Sequence, residues 1–443
     1  MDKYSEIRVP IAHDNCSIKR KESKCVLCGK CKDVCKKKMG VAGFWKYDSE
    51  DIVCINCGQC ANVCPVDAIT EQDDSDKLLQ AIDGKEKTVI FITSPATRVS
   101  LGEMFDLPAG EFVAGKMVSA LKKLGAKYVF DVTFGADLTI MEEASELVDR
   151  IKNNKVLPQF TSCCPAWVKF VETFYPQYIP NLSSCKSPIS MQASVIKNYF
   201  AKQQNINPKD IYLVAVTPCV AKKFEIKREE LTGDYGFDTD LVISVRELGK
   251  LLKKQKVNFK NLKDEEFDTA FPTGSGAGVI FGASGGVMEA AVRTAYKLVT
   301  GNELGDVNYT PVRGLEDVKK AEVDLNGIKV RLAVVHQMSN VAPIVEEIRK
   351  AAAEGKERPY DFIEVMACRG GCVTGGGQPY GHSDELRVKR AAALYTDDET
   401  HEIRCSHQNP LIDQIYKEYF GQPNSEKAHH LLHTHYTKRP LYK

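Results

Sequence analysis

The chain has 443 residues, of which 43% are hydrophobic and 27% are charged, and its formal net charge is +1. This length predicts two or three domains, and the composition excludes a largely disordered, fibrous or membrane-embedded protein. The near-zero charge gives no reason to expect nucleic acid or an anionic membrane as a partner. Because no signal-peptide core or stretch of roughly 18 apolar residues occurs, we expect a cytoplasmic protein. Sixteen cysteines in a reducing compartment indicate metal or redox chemistry rather than disulfides.

The first region, residues 1–80, holds nine of the sixteen cysteines and is too small to rely on a hydrophobic core alone. Two copies of C-x2-C-x2-C-x3-C occur in it, a spacing typical of bacterial ferredoxins with two 4Fe-4S clusters. In that arrangement the fourth cysteine of each run binds the other cluster. The predicted ligands are Cys25, Cys28, Cys31 and Cys64 for one cluster, and Cys54, Cys57, Cys60 and Cys35 for the other. A pair of zinc knuckles is the alternative, but zinc usually takes two separated pairs of ligands.

Residues 17–38 within this region carry nine basic and two acidic side chains. One interpretation is a solvated face that balances the negative charge of the clusters. The other is a docking surface for an acidic electron carrier, since complementary charge speeds encounter. The sequence leaves both open.

The second region, residues 86–443, follows a polar and partly helical connector and has the pattern of an α/β fold. Short apolar runs rich in β-branched residues predict buried strands at 88–93, 127–132, 211–216, 241–245, 330–335 and 362–366. Amphipathic patterns at 111–125 and 138–154 predict helices between strands, as in mostly parallel sheets. Since this region is longer than one sheet usually holds, we expect two lobes.

We expect three cysteine-bearing segments to lie at strand ends: TSCCPAW (161–167), TPCVAKKFE (217–225) and EVMACRGGCVTGGGQP (364–379). The carboxyl ends of strands in an open α/β fold meet at one crevice, so these thiols can converge. Gly370, Gly371 and the run 375–377 would allow the backbone to approach a bulky cluster.

These motifs closely resemble those of the iron-only (FeFe) hydrogenases, and the resemblance extends from Cys25 to the C-terminus. FGASGGVMEAAVRTAY (281–296) and HLLHTHY (430–436) are also similar, and the tail from about residue 385 resembles the small-subunit region of that family. The resemblance implies the reaction 2H+ + 2e− ⇌ H2 at an H-cluster, a 4Fe-4S cubane bridged to a di-iron subsite with CO, CN and azadithiolate. It also implies a ferredoxin-type redox carrier and maturation proteins as partners.

The resemblance also implies individual roles. The third cubane would be held by Cys164, Cys219, Cys368 and Cys372, with Cys372 bridging to the di-iron subsite. Lys222 would donate a hydrogen bond to a cyanide, Met366 would pack against the subsite, and Thr217 and Pro218 would lie beside it. The implied proton path consists of Cys163, Glu143, Ser183, Glu146 and Arg150. By spacing alone, Glu143, Glu146 and Arg150 share one helical face and would ordinarily form a salt-bridged surface stripe.

Three departures from the usual family pattern suggest a divergent subgroup: Thr217 in place of methionine, Ile189 in place of glutamine and Ala166 in place of glycine. Two alternatives are a non-catalytic iron-sulfur assembly protein and a hydrogen or redox sensor. An assembly protein would not need Cys163, Lys222 or Met366. Sequence assigns no role to Cys16, Cys185 and Cys405, with a buried core thiol the favoured interpretation of Cys185.

Overall fold

A computed structural model describes residues 4–42, 52–381 and 383–440 of the chain. The strands are β1 (Ile18–Arg20), β2 (Ile69–Glu71), β3 (Thr88–Thr93), β4 (Tyr128–Asp131), β5 (Gln159–Phe160), β6 (Ile211–Thr217), β7 (Thr232–Gly233), β8 (Gly236–Phe237), β9 (Leu241–Ser244), β10 (Val318–Leu325), β11 (Ile328–His336) and β12 (Phe362–Met366). The helices are α1 (Lys30–Lys37), α2 (Gln59–Asn62), α3 (Ser75–Gly84), α4 (Ala114–Leu124), α5 (Thr133–Lys152), α6 (Pro165–Phe174), α7 (Pro188–Val195), α8 (Ala201–Gln203), α9 (Lys222–Glu225), α10 (Val245–Lys254), α11 (Gly276–Val279), α12 (Gly286–Thr300), α13 (Val341–Ala353), α14 (Asp384–Thr400), α15 (Pro410–Ile415) and α16 (Glu426–Leu432).

The N-terminal region, here called the module, is a small α+β unit. Strands β1 and β2 pair antiparallel, with Ile18 opposite Glu71. Helices α1 and α2 each begin after a cysteine loop, at a glycine with positive φ: Gly29 (79°) and Gly58 (73°). Because L side chains rarely adopt that backbone conformation, glycine suits these two turns. The described part of the module packs around its cysteine loops, and its small apolar cluster includes Val220 of the large domain.

The first lobe is built on a parallel sheet with strand order β4-β3-β6-β9. Helices cover both faces. Val89 and Phe91 of β3 pack with α4 and α10 on one side, while Ile90 and Ile92 pack with α5 and α7 on the other. Strands buried on both faces read as continuous apolar runs, which explains why their positions follow the sequence prediction closely.

The second lobe has strand order β10-β11-β12-β5. Strands β11, β12 and β5 are parallel, and β10 adds to the edge antiparallel. Helices α6 and α13 cover one face of the sheet, and α5 and α12 cover the other. The predicted fold class, a two-lobed α/β domain with mostly parallel sheets plus a small α+β module, is confirmed.

The site lies where the two lobes meet, since the carboxyl ends of β3 and β6 face those of β5 and β12. Helix α5 packs into the cores of both lobes and so joins them. The C-terminal tail lies on the first lobe, where α15 and α16 bury Ile412, Leu431 and Leu432. Among the helices of the described ranges, none has the length and apolar character needed to cross a membrane.

Candidate metal centres and proton path

A cavity of about 830 Å³ lies between the facing strand ends. Three loops supply its thiols: the loop after β5, the loop after β6 and the loop after β12. The thiols from these loops that line it belong to Cys163, Cys164, Cys219, Cys368 and Cys372, and Cys57 of the module lines it as well. The three cysteine-bearing segments are therefore brought to one cavity.

Local sequence explains how each loop leaves its strand. Pro165 starts α6 directly after Cys164, which fixes the chain direction behind that thiol. The Thr217 hydroxyl accepts a hydrogen bond from the Cys219 backbone N–H (3.3 Å) and tightens the T-P-C turn. Gly371 has φ +92°, and a Cβ there would lie 2.6 Å from the Ser284 backbone nitrogen. The loop between Cys368 and Cys372 can close only with glycine at this position.

The donor set fits an iron-sulfur cluster better than a single ion. Within the described ranges, no three His, Cys, Asp or Glu side chains are grouped closely enough to hold one metal ion. The thiols of Cys164, Cys219, Cys368 and Cys372 instead surround a wide cavity, as a bulky cluster requires. Burial raises the pKa of Cys219 to about 12, so this thiol stays protonated until a metal displaces the proton.

The module has two further cavities, each lined by one of the predicted ligand sets. Cys25, Cys28, Cys31 and Cys64 line a cavity of about 340 Å³. Cys35, Cys54, Cys57 and Cys60 line another of about 420 Å³. We call these the distal and the proximal cavity, since Cys57 lines both the second one and the large cavity between the lobes.

Glycines in the loop after β12 allow the module to pack against the large domain. A Cβ on Gly376 would lie 2.2 Å from the Cys57 carbonyl oxygen and 2.8 Å from the Gly58 Cα. Sequence predicted close approach of this glycine run to a cluster. In the structure Gly376 instead makes room for the backbone of the proximal loop.

Lys222, Met366, Thr217 and Pro218 also line the large cavity. The Lys222 ammonium pairs with Glu225 Oε2 (2.7 Å) and donates to the Cys163 carbonyl oxygen (3.2 Å). Burial opposes the charge of Lys222, but Glu225 and the nearby thiols raise its pKa overall. The lysine is therefore a fixed cation at the cavity wall, suited to an anionic ligand.

Glu143 of α5 is buried beside Cys163. Among the described residues, neither of its carboxylate oxygens has a hydrogen-bond partner. Burial raises the pKa of Glu143 to about 8, the negative charge of Glu146 adds to the effect, and the nearby Ser183 hydroxyl offsets it only in part. Burial also raises the pKa of the Cys163 thiol, with Glu143 the next cause. Both groups can hold protons at neutral pH.

The other predicted path residues form a connected chain toward the surface. The Ser183 hydroxyl donates to Glu146 Oε2 (2.7 Å), and Arg150 donates to Glu146 Oε1 (2.7 Å). Arg150 also donates to the carbonyl oxygens of Pro180, Asn181 and Leu182. The expectation of a surface stripe from helical spacing alone is wrong for Glu143, because this face of α5 lies between the lobes.

Sequence reasoning missed several partners of these residues. Glu225, the partner of Lys222, stands three residues later on α9, and that i, i+3 spacing was a usable signal. His433 of the tail was not placed: its ring contacts Ser184 Oγ (2.8 Å) and Glu142 Oε2 (2.9 Å). Nothing local in the sequence links residue 433 to residue 184.

Cys185 is fully buried in the core of the first lobe, and Cys405 is also buried.

Comparison with known protein families decides the identity of this arrangement. The model of the iron only hydrogenase large subunit, C-terminal domain, matches residues 87–376. The chain belongs to the iron-only hydrogenase family. The iron hydrogenase small subunit matches residues 384–439 of this hydrogenase, and a 4Fe-4S binding domain matches residues 53–70.

Curated relatives agree. Iron hydrogenase 1 of Clostridium pasteurianum is 44% identical and aligns over 94% of this hydrogenase and 75% of that protein. The NADP-reducing hydrogenase subunit HndD of Solidesulfovibrio fructosivorans is 42% identical over 96% and 75% of the two chains. Cytosolic iron-sulfur assembly component 3 of Rattus norvegicus is more distant, at 31% identity over 80% and 75%.

A solved structure of stepwise FeFe-hydrogenase H-cluster assembly, in HydA(deltaEFG), is also similar. It has a TM-score of 0.73 and 37% identity, and it covers 83% of this hydrogenase and 99% of that chain. The protein is thus a hydrogenase, an oxidoreductase that acts on hydrogen and that uses an H-cluster together with 4Fe-4S clusters.

Proposed function

We propose that this hydrogenase interconverts protons, electrons and H2 at the large cavity, with electrons and protons arriving by separate routes. The observation that carries the proposal is the composition of the cavity wall. It combines four thiols suited to a cubane with a fifth, Cys163, that has a buried glutamate behind it. Electrons can tunnel between clusters, whereas protons need titratable groups within hydrogen-bond reach, so the two routes can differ.

The ligand sets of the proposal follow the three cavities. Cys164, Cys219, Cys368 and Cys372 would hold the cubane of the H-cluster, and the module would hold one cubane in each of its cavities. When bound, the H-cluster supplies the iron at which protons and electrons combine. The division into residues 1–80 and 86–443, with the tail from about 385, is supported by the separate cysteine cavities and by the matched ranges.

The protein's own residues hold and move the protons. Cys163 would carry a proton at its Sγ on the cavity wall, and Glu143 would exchange it from the side away from the cavity. Ser183, Glu146 and Arg150 then continue the route by hydrogen bonds. Lys222, fixed by Glu225, would donate to an anionic ligand of the subsite, and Met366, Thr217 and Pro218 would pack around it.

Replacement of Cys163 tests the proton route. In matured protein, Cys163→Ala should retain the iron content and the infrared CO and CN bands but lose at least 100-fold in H2 turnover. Cys405→Ala, which removes a buried thiol elsewhere, is the matched control and should retain both. Wild-type turnover in Cys163→Ala would refute the assignment of this thiol to proton transfer.

One competing function is iron-sulfur assembly, which the name of the 31% identical relative raises. Infrared spectroscopy of the protein, produced together with hydrogenase maturation proteins, separates the two. CO and CN bands support the hydrogenase route. Their absence, with cubanes intact, would favour an assembly role. That maturation proteins insert the subsite is part of the proposal and is supported by the stepwise assembly named for the similar structure.

The proposed electron carrier is an acidic protein of the ferredoxin type that docks over the distal cavity. Val26 and Val66 line this cavity and are 61% and 37% exposed, so they offer a small apolar contact. Most basic side chains of the segment 17–38, which also supplies Val26, are exposed; those exposed are Lys19, Lys21, Lys24, Lys30, Lys36, Lys37 and Lys38. A segment that combines exposed lysines with an exposed apolar side chain fits an acidic partner.

A further inference from the structure

Gln59 is a module residue that reaches into the large domain. It lies on α2, between the cysteines Cys57 and Cys60 of the proximal cavity. Its Nε2 donates to Cys368 Sγ (3.1 Å) and to the Thr374 carbonyl oxygen (3.0 Å). One side chain thus connects the loop that lines the proximal cavity to a thiol of the large cavity.

The direction of this hydrogen bond is fixed by a buried arginine. Arg246 can only donate, and its Nη1 donates to Asn62 Oδ1 (2.8 Å). The Asn62 amide must therefore present its nitrogen to Gln59, and Nδ2 donates to Gln59 Oε1 (3.4 Å). With its oxygen used as an acceptor, Gln59 can face Cys368 only with its N–H group.

Arg246 is itself held in place. Its side chain is fully buried, pairs with the buried Glu71 (2.8 Å) and also donates to the Gln378 carbonyl oxygen (2.9 Å). This series of hydrogen bonds, from Glu71 through Arg246 and Asn62 to Gln59, lies at the boundary between the module and the large domain. Fully connected polar networks of this kind hold one orientation, because an unpaired buried polar group is costly.

We infer that Gln59 acts through Cys368: the hydrogen bond from its amide raises the reduction potential of the active-site cubane and so favours electron flow from the proximal cubane. The inference rests on the proposed function, since it takes Cys368 as a cubane ligand. The step moves one electron from the proximal to the active-site cubane, and no bond forms or breaks. Reduction adds negative charge to the cluster sulfurs, and an N–H donor in a buried site stabilises that charge.

The test measures potentials in protein produced without the maturation proteins, which would hold cubanes but no di-iron subsite. Gln59→Met keeps the length of the side chain and removes the donor. The reduction potential of the active-site cubane should become more negative. The equilibrium constant for electron transfer from the proximal cubane should fall about tenfold, which is about 59 mV for one electron. The distal cubane should not shift. Reductive titration followed by electron paramagnetic resonance resolves these signals.

Two further variants complete the design. Gln192→Met removes another buried amide, one whose oxygen accepts from the Gly135 N–H (3.1 Å), and it should leave all potentials unchanged. Asn62→Ala leaves Gln59 in place but frees its amide to rotate, so a smaller negative shift is expected. If Gln59→Met fails to retain its clusters, Asn62→Ala decides the question.

The outcomes distinguish a wrong ligand set from a wrong role for Gln59. Wild-type protein with about eight irons and no third cubane signal would refute the ligand set itself. About twelve irons in every variant, with an unchanged active-site potential in both Gln59→Met and Asn62→Ala, would refute the role of Gln59 alone. An equal shift in Gln192→Met would show that loss of any buried amide is sufficient, which would also overturn the inference.

Discussion

Glu143 is buried between the two lobes, and among the described residues neither of its carboxylate oxygens has a hydrogen-bond partner, unlike those of Glu146. Glu146 pairs with Arg150 through its Oε1 (2.7 Å). Glu143 faces Cys163, Glu146 and Glu364, all of them neutral or negative. A carboxyl group in this environment stays protonated near neutral pH, as the proposed proton route requires of Glu143.

The raised pKa of Glu143 predicts a stability that depends on pH. In the folded state the pKa is about 8, whereas an unfolded glutamate titrates at about 4.3. Between these values the folded protein holds a proton that the unfolded chain has released, so Glu143 lowers stability as pH rises from about 4.3 to 8. Glu143→Gln carries no such proton. The melting temperature of Glu143→Gln relative to wild type should therefore increase from pH 5 to pH 8.

The same substitution should stop proton transfer, because an amide cannot release its proton. We expect Glu143→Gln to lose about 100-fold or more in H2 turnover while it gains relative stability at pH 8. Glu402→Gln, at an exposed position, serves as the control, with no change in turnover and no pH-dependent difference in melting temperature. A difference between Glu143→Gln and wild type that stays constant across pH would contradict a raised pKa.

At the level of elements, apolar runs located the buried strands well. β3 and β12 begin and end at the predicted residues, because strands buried on both faces are continuous apolar runs. β10 was missed: its sequence VKKAEVDL alternates between buried and exposed positions and lies at a sheet edge. β5 has only two residues and pairs with β12 through a contact distant in sequence.

The same limit applies to the site. Periodicity placed Glu143, Glu146 and Arg150 on one face of α5, but it could not show that a second lobe covers Glu143. The ligand set of the third cubane came from the family resemblance of the cysteine motifs, since strand ends alone could predict only that these thiols converge. Gln59 and His433 could not be found, because their partners lie 309 and 249 residues away in the chain.

The C-terminal tail holds the segment that carries Ser183. Thr434 N donates to the Ser184 carbonyl oxygen (2.8 Å), Lys186 N donates to that of Leu432 (2.8 Å), and Cys185 and His433 form an antiparallel bridge. The buried His433 ring connects Ser184 Oγ to Glu142. The tail therefore fixes the position of the Ser183 hydroxyl relative to Glu146.

Removal of the His433 ring should weaken the attachment of the tail to the segment that carries Ser183. His433→Ala leaves Glu142 and Ser184 each short of a buried hydrogen bond, which should cost about 2–3 kcal/mol in the free energy of unfolding. Turnover should fall because Ser183 is less well placed, while iron content stays constant. His430→Ala is the matched control. His430 is exposed, and its one ion pair among the described residues is with Asp234, at 3.3 Å. Equal stability of the two variants would show that the tail does not clamp this segment.

At the level of the whole molecule, module and large domain are connected by close backbone packing as well as by polar contacts. Gly376→Ala would place a Cβ within 2.2 Å of the Cys57 carbonyl oxygen, and backbone atoms cannot yield as a flexible side chain can. The module should shift, so electron transfer into the large cavity should slow. Gly84→Ala, where a Cβ meets nothing within 4 Å, is the control.

Rapid reduction kinetics of the cubanes proposed for the three cavities measure this effect. In Gly376→Ala the distal and proximal cubanes should be reduced at the wild-type rate, while reduction of the active-site cubane is slowed about tenfold or more. Gly84→Ala should match wild type at every step. If Gly376→Ala also matched wild type at every step, close packing of the two backbones would not govern electron transfer.

The charge distribution of the whole molecule predicts how the proposed carrier would bind. The chain is nearly neutral, and each cubane with four thiolates adds about two negative charges, so the basic segment 17–38 contrasts with the rest of the loaded protein. Lys24→Gln combined with Lys30→Gln should raise the KM for an acidic ferredoxin several-fold and weaken its dependence on salt. Lys350→Gln combined with Lys356→Gln removes two exposed charges elsewhere and should change neither. Turnover with a small artificial donor should be unaffected in both, because that donor needs no docking surface. An equal rise in KM for both pairs would point to net charge, not to this surface, as the cause.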